Sequence, residues 1–243
     1  MKRLNRMVML VSPLLLVCSA ATAWADAEFD EAKVIIEINA TDGDVGFHAK
    51  FDGEAWYNTK MYDPMGRKIF HEKADASLRE QGLTENFFES AEPLCIPDPE
   101  EPEELVVTLA EFLERFPAGD YYLMGKNNEG EWQTGEAELT WNIPAAPDIG
   151  ATDEAEFDSA EDVVLEWDEG DDLGGKCDDP DLVLDEIIPD PASIEVAGWE
   201  AVVEPDCDVE FEIERVFMVQ LPPQQTSVTV PEEFLESYLD EDC

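Results

Sequence analysis

The sequence predicts a mainly β protein built as two β-sandwich domains, and three observations carry that reading. Apolar and polar residues alternate with a period of two, as in Gly135, Ala137, Leu139 and Trp141 against Thr134, Glu136, Glu138 and Thr140, the pattern of a strand with one face buried. Pro144 and Pro147 then break the alternation. Proline has no amide hydrogen for a sheet ladder and restricts the residue before it, so 144–150 reads as a linker. Finally, 218 residues remain once a 25-residue leader is removed, too many for one small sandwich and enough for two cores of roughly 100 residues each. An apolar content of 44% supplies the surface needed to offset chain entropy, which argues against disorder.

Residues 1–25 read as a secretory signal. Lys2, Arg3 and Arg6 precede the apolar run Met7 to Val17, and Ala23-Trp24-Ala25 places small residues at the cleavage positions, so the mature chain begins at Asp26. A lipoprotein reading at Cys18 ranks below ordinary cleavage, because Val17 is bulkier than lipid attachment favours. No later stretch is long and apolar enough to span a bilayer, so the expected location is periplasmic or secreted.

The first domain is expected over 33–143, after an acidic leader at 26–32. Val34, Ile36 and Ile38 alternate in one strand, and Phe47, Ala49 and Phe51 in a second. Asp52-Gly53-Glu54 reads as a turn into a third strand, Trp56 to Tyr62. Asp63-Pro64-Met65-Gly66 has the composition of a tight turn before the short strand Arg67 to Glu72. Two short helices interrupt the meander: Thr84 caps one at Glu85 to Ser90, and Thr108 caps another at Leu109 to Phe116, where Leu109, Phe112, Leu113 and Phe116 recur at helical spacing. Pro93 to Glu104 is a proline and glutamate loop. A strand begins near Tyr121, and Asn127-Asn128-Glu129-Gly130 turns it into the Glu131 to Trp141 strand.

The second domain is expected over 151–243. An acidic edge, Thr152 to Asp162, leads into the alternation of Val163, Leu165 and Trp167 with Val164, Glu166 and Asp168. A long acidic loop, Glu169 to Ser193, carries one apolar patch at Leu182 to Ile188. Strands are expected at Ile194 to Glu204, at Val209 to Leu221, and around Val228 and Val230.

The second half resembles a fibronectin type III domain, an immunoglobulin-like sandwich, in Val163-Val164-Leu165-Glu166-Trp167, in Val196 to Glu204 with its Trp199, and in Gln220-Leu221-Pro222-Pro223 followed by Thr226 to Pro231. Two departures stand out. The loop between the second and third strands is long, and the chain stops at Cys243 where that family needs two further strands. The domain is therefore expected to be irregular or incomplete, with an open sheet edge: Leu182 to Ile188 supplies a substitute strand, a partner does, or the copy is truncated. The first half resembles bacterial immunoglobulin-like modules in Tyr62 to Arg67 and in Pro117-Ala118-Gly119-Asp120-Tyr121. Both likenesses imply a binding or structural scaffold and no reaction.

Charge narrows the partners. All 60 acids follow the signal, where they face eleven Lys and Arg, and such a field repels nucleic acid and anionic membrane surfaces. Solubility or life in high salt explains it, as does binding of divalent cations. Four cysteines follow the signal and allow three pairings. Cys177 and Cys207 are the favoured pair because both lie in acidic loops, and Cys243 is the candidate free thiol.

Candidate chemistry is sparse. Calcium is the only cofactor suggested. Asn39, Asp42 and Asp44 space oxygen ligands around Gly43 without the later glutamate of an EF-hand, and Asp168, Asp171 and Asp172 open a carboxylate patch. A strand-linking turn and a solvated loop explain the same residues. His48 and His71 alternate onto the solvent side of strands, no G-x-S-x-G elbow occurs, and Gly174-Gly175-Lys176 lacks the rest of a phosphate loop. Trp56, Trp141, Trp167 and Trp199 read as core, whereas Trp132 beside its turn is the aromatic best placed to meet a sugar or peptide. The residues thus predict a non-enzymatic exported binding or structural module of the cell envelope, with an unspecified protein or glycan there as its partner. A secreted hydrolase with paired carboxylates and a calcium-dependent adhesion module are the alternatives. Intact-mass measurement of the exported protein is expected to find Asp26 at its N-terminus; a mass that retains residues 1–25 would remove the signal assignment.

Overall fold

The computed structural model describes residues 27–40, 42–99, 103–149, 163–204 and 215–239. The expected signal, the Thr152 to Asp162 edge, Cys207, the Val209 to Ile213 alternation and Cys243 lie outside the described residues. The chain is mainly β.

The first half forms two sheets. Strands β2 (Glu31–Asn39), β3 (Asp44–Trp56) and β6 (Leu83–Glu89) make an antiparallel three-stranded sheet with β3 in the centre. Strands β1 (Ala27–Glu28), β4 (Asn58–Tyr62), β5 (Lys68–Lys73), β7 (Gly119–Lys126) and β8 (Trp132–Leu139) make a second sheet in the order β1-β8-β7-β4-β5. Period-two alternation aims Val45, Phe47, Ala49 and Phe51 of β3 into one apolar cluster with Met61, Tyr121 and Leu123 of the other sheet. Helix α1 spans Ala76–Gln81 and α2 spans Leu109–Arg115. Thr108 caps α2 as its sequence suggests, its hydroxyl accepting from the Glu111 amide at 3.3 Å, and Leu109, Phe112 and Leu113 are buried. At the Asp63 turn, one Asp63 oxygen accepts from the Met65 and Arg67 amides at 3.0 and 2.7 Å.

Three local expectations give way to packing. The leader expected at 26–32 is tied down over its described residues, 27–32: Ala27 and Glu28 pair with Gln133 and Thr134, and Phe29 is buried edge-on against Phe51 and Trp56. A lone aromatic among acids has no periodicity to announce it. Asp52-Gly53-Glu54 does not turn. The strand runs on to Trp56 through an irregularity in its register with β6, and the chain passes to the other sheet at Tyr57. Glu85 to Ser90 is not a helix, because β3 offers an unpaired edge from His48 to Trp56, and that ladder outweighs a local cap signal at Thr84.

In the second half, β9 (Val163–Glu166) pairs with β12 (Ser227–Val230), and β10 (Trp199–Val203) with β11 (Phe217–Leu221), both antiparallel. Trp167 and Trp199 meet edge to face, with centroids 6.0 Å apart. Helix α4 follows at Glu232–Leu239. The acidic loop between β9 and β10 is structured by a 3-10 turn at Gly175–Cys177, by helix α3 (Pro180–Leu184) and by a second 3-10 turn at Pro191–Ser193. Leu182 to Ile188 therefore supplies a helix and turn rather than a substitute strand. Leu173, Cys177, Leu182 and Ile188 are buried in the apolar cluster of the first half, and Ala145 and Ala146 of the connector donate to the Pro191 and Asp172 carbonyls at 3.3 and 2.8 Å.

The disulfide joins Cys95 to Cys177, not Cys177 to Cys207. Likeness of loops does not bring two cysteines together; a bridge needs Cα atoms within about 7 Å, and the fold supplies 5.0 Å at Cys95. Gly175 makes the approach possible. Its φ is +54°, and a Cβ there would lie 2.0 Å from the Ala40 carbonyl oxygen, so the glycine pair that fails as a phosphate loop lets the backbone press on the β2–β3 turn. Lys176 pairs with Asp98 beside the bond. Because the cysteines are 82 residues apart, loop closure makes the bridge worth about 4 kcal/mol. The double variant Cys95→Ser, Cys177→Ser is expected to lose stability of that order in denaturant titrations, and an unchanged midpoint would show that the bond is not formed.

Candidate metal centre

The outer face of β3 is built by the same alternation that fills the core. With Val45, Phe47 and Ala49 pointing in, Gly46 and His48 point out, and register sets His48 between Ile35 of β2 and Glu89 of β6. A central strand has neighbours on both sides, so His48 is only 9% exposed although it lies on the outer face. Phe87 meets its ring edge-on at 5.9 Å. His48 Nδ1 lies 3.5 Å from Glu37 Oε2, and His48 Nε2 lies 3.8 Å from Glu92 Oε1. Nε2 is buried and makes no hydrogen bond.

Glu92 is placed by backbone on either side of it. The Ser90 amide donates to the Phe47 carbonyl at 2.9 Å, the Phe47 amide donates to Ser90 Oγ at 3.0 Å, and the Val45 amide donates to the Pro93 carbonyl at 3.2 Å. One ligand atom from each of His48, Glu89 and Glu92 therefore falls within 4.8 Å of the others, the one such three-ligand group among the described residues. Burial raises the Glu92 carboxyl above its ordinary range, and a hydrogen bond and like charge from Glu89 add to this while His48 opposes it. Asp44, at the start of β3, has a buried Oδ1 with no hydrogen-bond partner. Its carboxyl is also raised, first by burial and then by the negative charges of Asp42, Glu37 and Glu89.

The residues singled out from sequence are dispersed. Asn39 Nδ2 donates to Asp42 Oδ2 at 2.7 Å and the Asp42 amide donates to Asn39 Oδ1 at 3.3 Å, so both side chains serve the turn between β2 and β3. Asp168 is bridged through its backbone to Asp148, Asp172 Oδ1 accepts from the Gly174 amide at 2.8 Å, and Asp171 is exposed. His71 Nε2 lies 3.3 Å from Asn58 Nδ2 on the other sheet. Trp132 is half-buried, with Lys126 and Lys60 over its ring at 5.0 and 5.5 Å. Sequence reasoning set His48 on the outer face but expected it at the solvent, where the structure buries it, and it missed Glu89 and Glu92. Their E-x-x-E spacing was visible, whereas the register that sets Glu89 beside His48 was not.

No protein-family model and no curated protein sequence matches the chain. Among solved structures, it is similar to a tetra-tandem repeat in the extending region of a large adhesion protein, at 8% identity and a TM-score of 0.18, over 82% of this chain and 40% of that one. The chain thus spans less than half of that structure's length, and so loose an overlap bears on neither fold nor function. No described helix is long and apolar enough to cross a membrane.

The raised carboxyl of Asp44 has a definite sign in stability. A folded-state pKa above the unfolded value of 3.8 means the folded form holds its proton more tightly. The contribution is therefore complete below 3.8 and lost as pH rises through the folded value. Asp44→Asn is expected to raise the thermal midpoint at neutral pH and to leave it almost unchanged in acid; calorimetry at both pH values checks this, and a lower midpoint at neutral pH would contradict it.

Proposed function

We propose that the chain is an exported, non-enzymatic binding or structural module of the cell envelope, built of two immunoglobulin-like β-sandwiches and working in an oxidising compartment. The observation that carries the exported setting is the Cys95–Cys177 bond, because a buried disulfide across 82 residues persists where thiols are not kept reduced. The signal-like residues 1–25 point the same way.

The immunoglobulin-like reading draws support from two details. Tyr121, near the start of β7, donates its hydroxyl to the Pro117 carbonyl four residues upstream at 3.2 Å, the contact made by the tyrosine corner of such sandwiches. Among the described residues of the second half, β9 pairs with β12 and β10 with β11, and Trp167, beside the first pair, meets Trp199 of the second edge to face, as packing of two sheets would bring about. The division at 144–150 enters with one amendment: residues 173–188, though later in the chain, belong with the first core. The contact surface is the outer face of the five-stranded sheet, where Trp132 carries Lys60 and Lys126 on a chain otherwise dominated by acid. An envelope protein or glycan is its partner.

Fractionation with thiol labelling tests the setting, and sedimentation with isolated cell envelopes tests the contact. The mature chain is expected outside the cytoplasm, with Cys95 and Cys177 protected from alkylation until reductant is added, and to co-sediment with envelopes severalfold less after Trp132→Ala. A cytoplasmic chain with reactive thiols would overturn the reading, as would sedimentation indifferent to Trp132.

A further inference from the structure

We propose that His48, Glu89 and Glu92 bind one divalent first-row transition-metal ion, of the zinc class, on the outer face of the β2-β3-β6 sheet. Acidic residues alone do not make a site on a chain with 60 of them. What distinguishes this group is the imidazole. His48 is nine-tenths buried, its Nε2 has no hydrogen-bond partner, and that nitrogen is directed toward Glu92 Oε1 at 3.8 Å. A buried polar atom without a hydrogen-bond partner is unfavourable, and a metal bound to its lone pair removes that cost.

The opposite ring nitrogen supports that role. His48 Nδ1 faces the Glu37 carboxylate at 3.5 Å, the arrangement in which a second carboxylate orients a metal-ligating imidazole and leaves its Nε2 lone pair free for the ion. There is also room. Gly46 presents no side chain, and a Cβ there would lie 2.8 Å from Glu92 Oε1 and 3.0 Å from His48 Nε2, so its absence leaves space beside both donors. Metal bonds of about 2.0–2.2 Å need the donors to close in by small rotations of Glu89 and Glu92, both on flexible stems. The dication also offsets the mutual repulsion of Glu37, Asp44, Glu89 and Glu92.

Donor type selects the ion. Calcium takes oxygen ligands and gains nothing from an imidazole, whereas zinc and its neighbours combine imidazole nitrogen with carboxylate oxygen. Three protein donors leave a coordination position for water. Bound there, the ion ties the end of β6 to the centre of β3.

The test uses the whole mature chain, oxidised and stripped of metal, titrated with zinc chloride in millimolar calcium and physiological salt. One zinc per chain is expected to bind saturably, roughly tenfold or more weakly in Glu89→Gln and in Glu92→Gln. Cobalt(II) in place of zinc is expected to show visible absorption that His48→Gln abolishes. Zinc is expected to raise the thermal midpoint of the parent but not of Gly46→Ala, whose methyl group occupies the space beside the donors. If His48→Gln does not fold, Glu89→Gln, at an exposed residue, decides the matter. Zinc that calcium fully displaces, affinity indifferent to Glu89 and Glu92, or no saturable binding would each overturn the proposal.

Discussion

The structure of the first half depends on β3 being a central strand. Its backbone is paired on both sides, by β2 along Asp44 to Asp52 and by β6 along much of the same length, so neither of its faces is free to move independently. Alternation then commits Val45, Phe47, Ala49 and Phe51 to the interior. Burying each of the large side chains contributes about 1.5–3 kcal/mol. Phe47 stacks on Phe116 at 4.4 Å and tilts against Tyr121, which links this strand to the region following α2 and to the opposite sheet. The aromatic cluster of Phe29, Phe51 and Trp56 closes its other end.

The outer face inherits this rigidity. A histidine on an edge strand would swing into solvent, but on a central strand it lies beneath the residues of both neighbours. Burial of His48 is therefore a consequence of strand order rather than of its own chemistry, and the same order puts Glu37 on one side and Glu89 on the other. Burial of their carboxyls comes first and the negative charges around them add to it, so Asp44 and Glu92 hold their protons more tightly than isolated carboxyls do.

Acid covers the rest of the molecule, and self-repulsion of so large a net charge works against compactness. Two features counter it where the loop between β9 and β10 returns to the first core. Burial of Leu173, Leu182 and Ile188 removes apolar surface from water, and the Cys95–Cys177 bond limits how far that loop separates when the chain opens. The Lys176–Asp98 ion pair sits beside the bond, one of few cations set against the acid.

Local chemistry was legible in the sequence wherever the determining contacts are near neighbours. The Thr108 cap, the Asp63 turn, the alternation of β2 and β8 and the burial of Trp56 and Trp167 follow from spacing, because period and capping act over a few residues. What tertiary structure alone decided was which distant segments meet. Leu83 to Glu89 became a strand because β3 had an edge to fill, Phe29 entered the core because Trp56 and Phe51 left space, and Cys95 found Cys177 through the close approach at Gly175. The grouping of His48 with Glu89 and Glu92 is of this kind: a period of two tells which face a residue takes, but only register between strands tells what stands beside it.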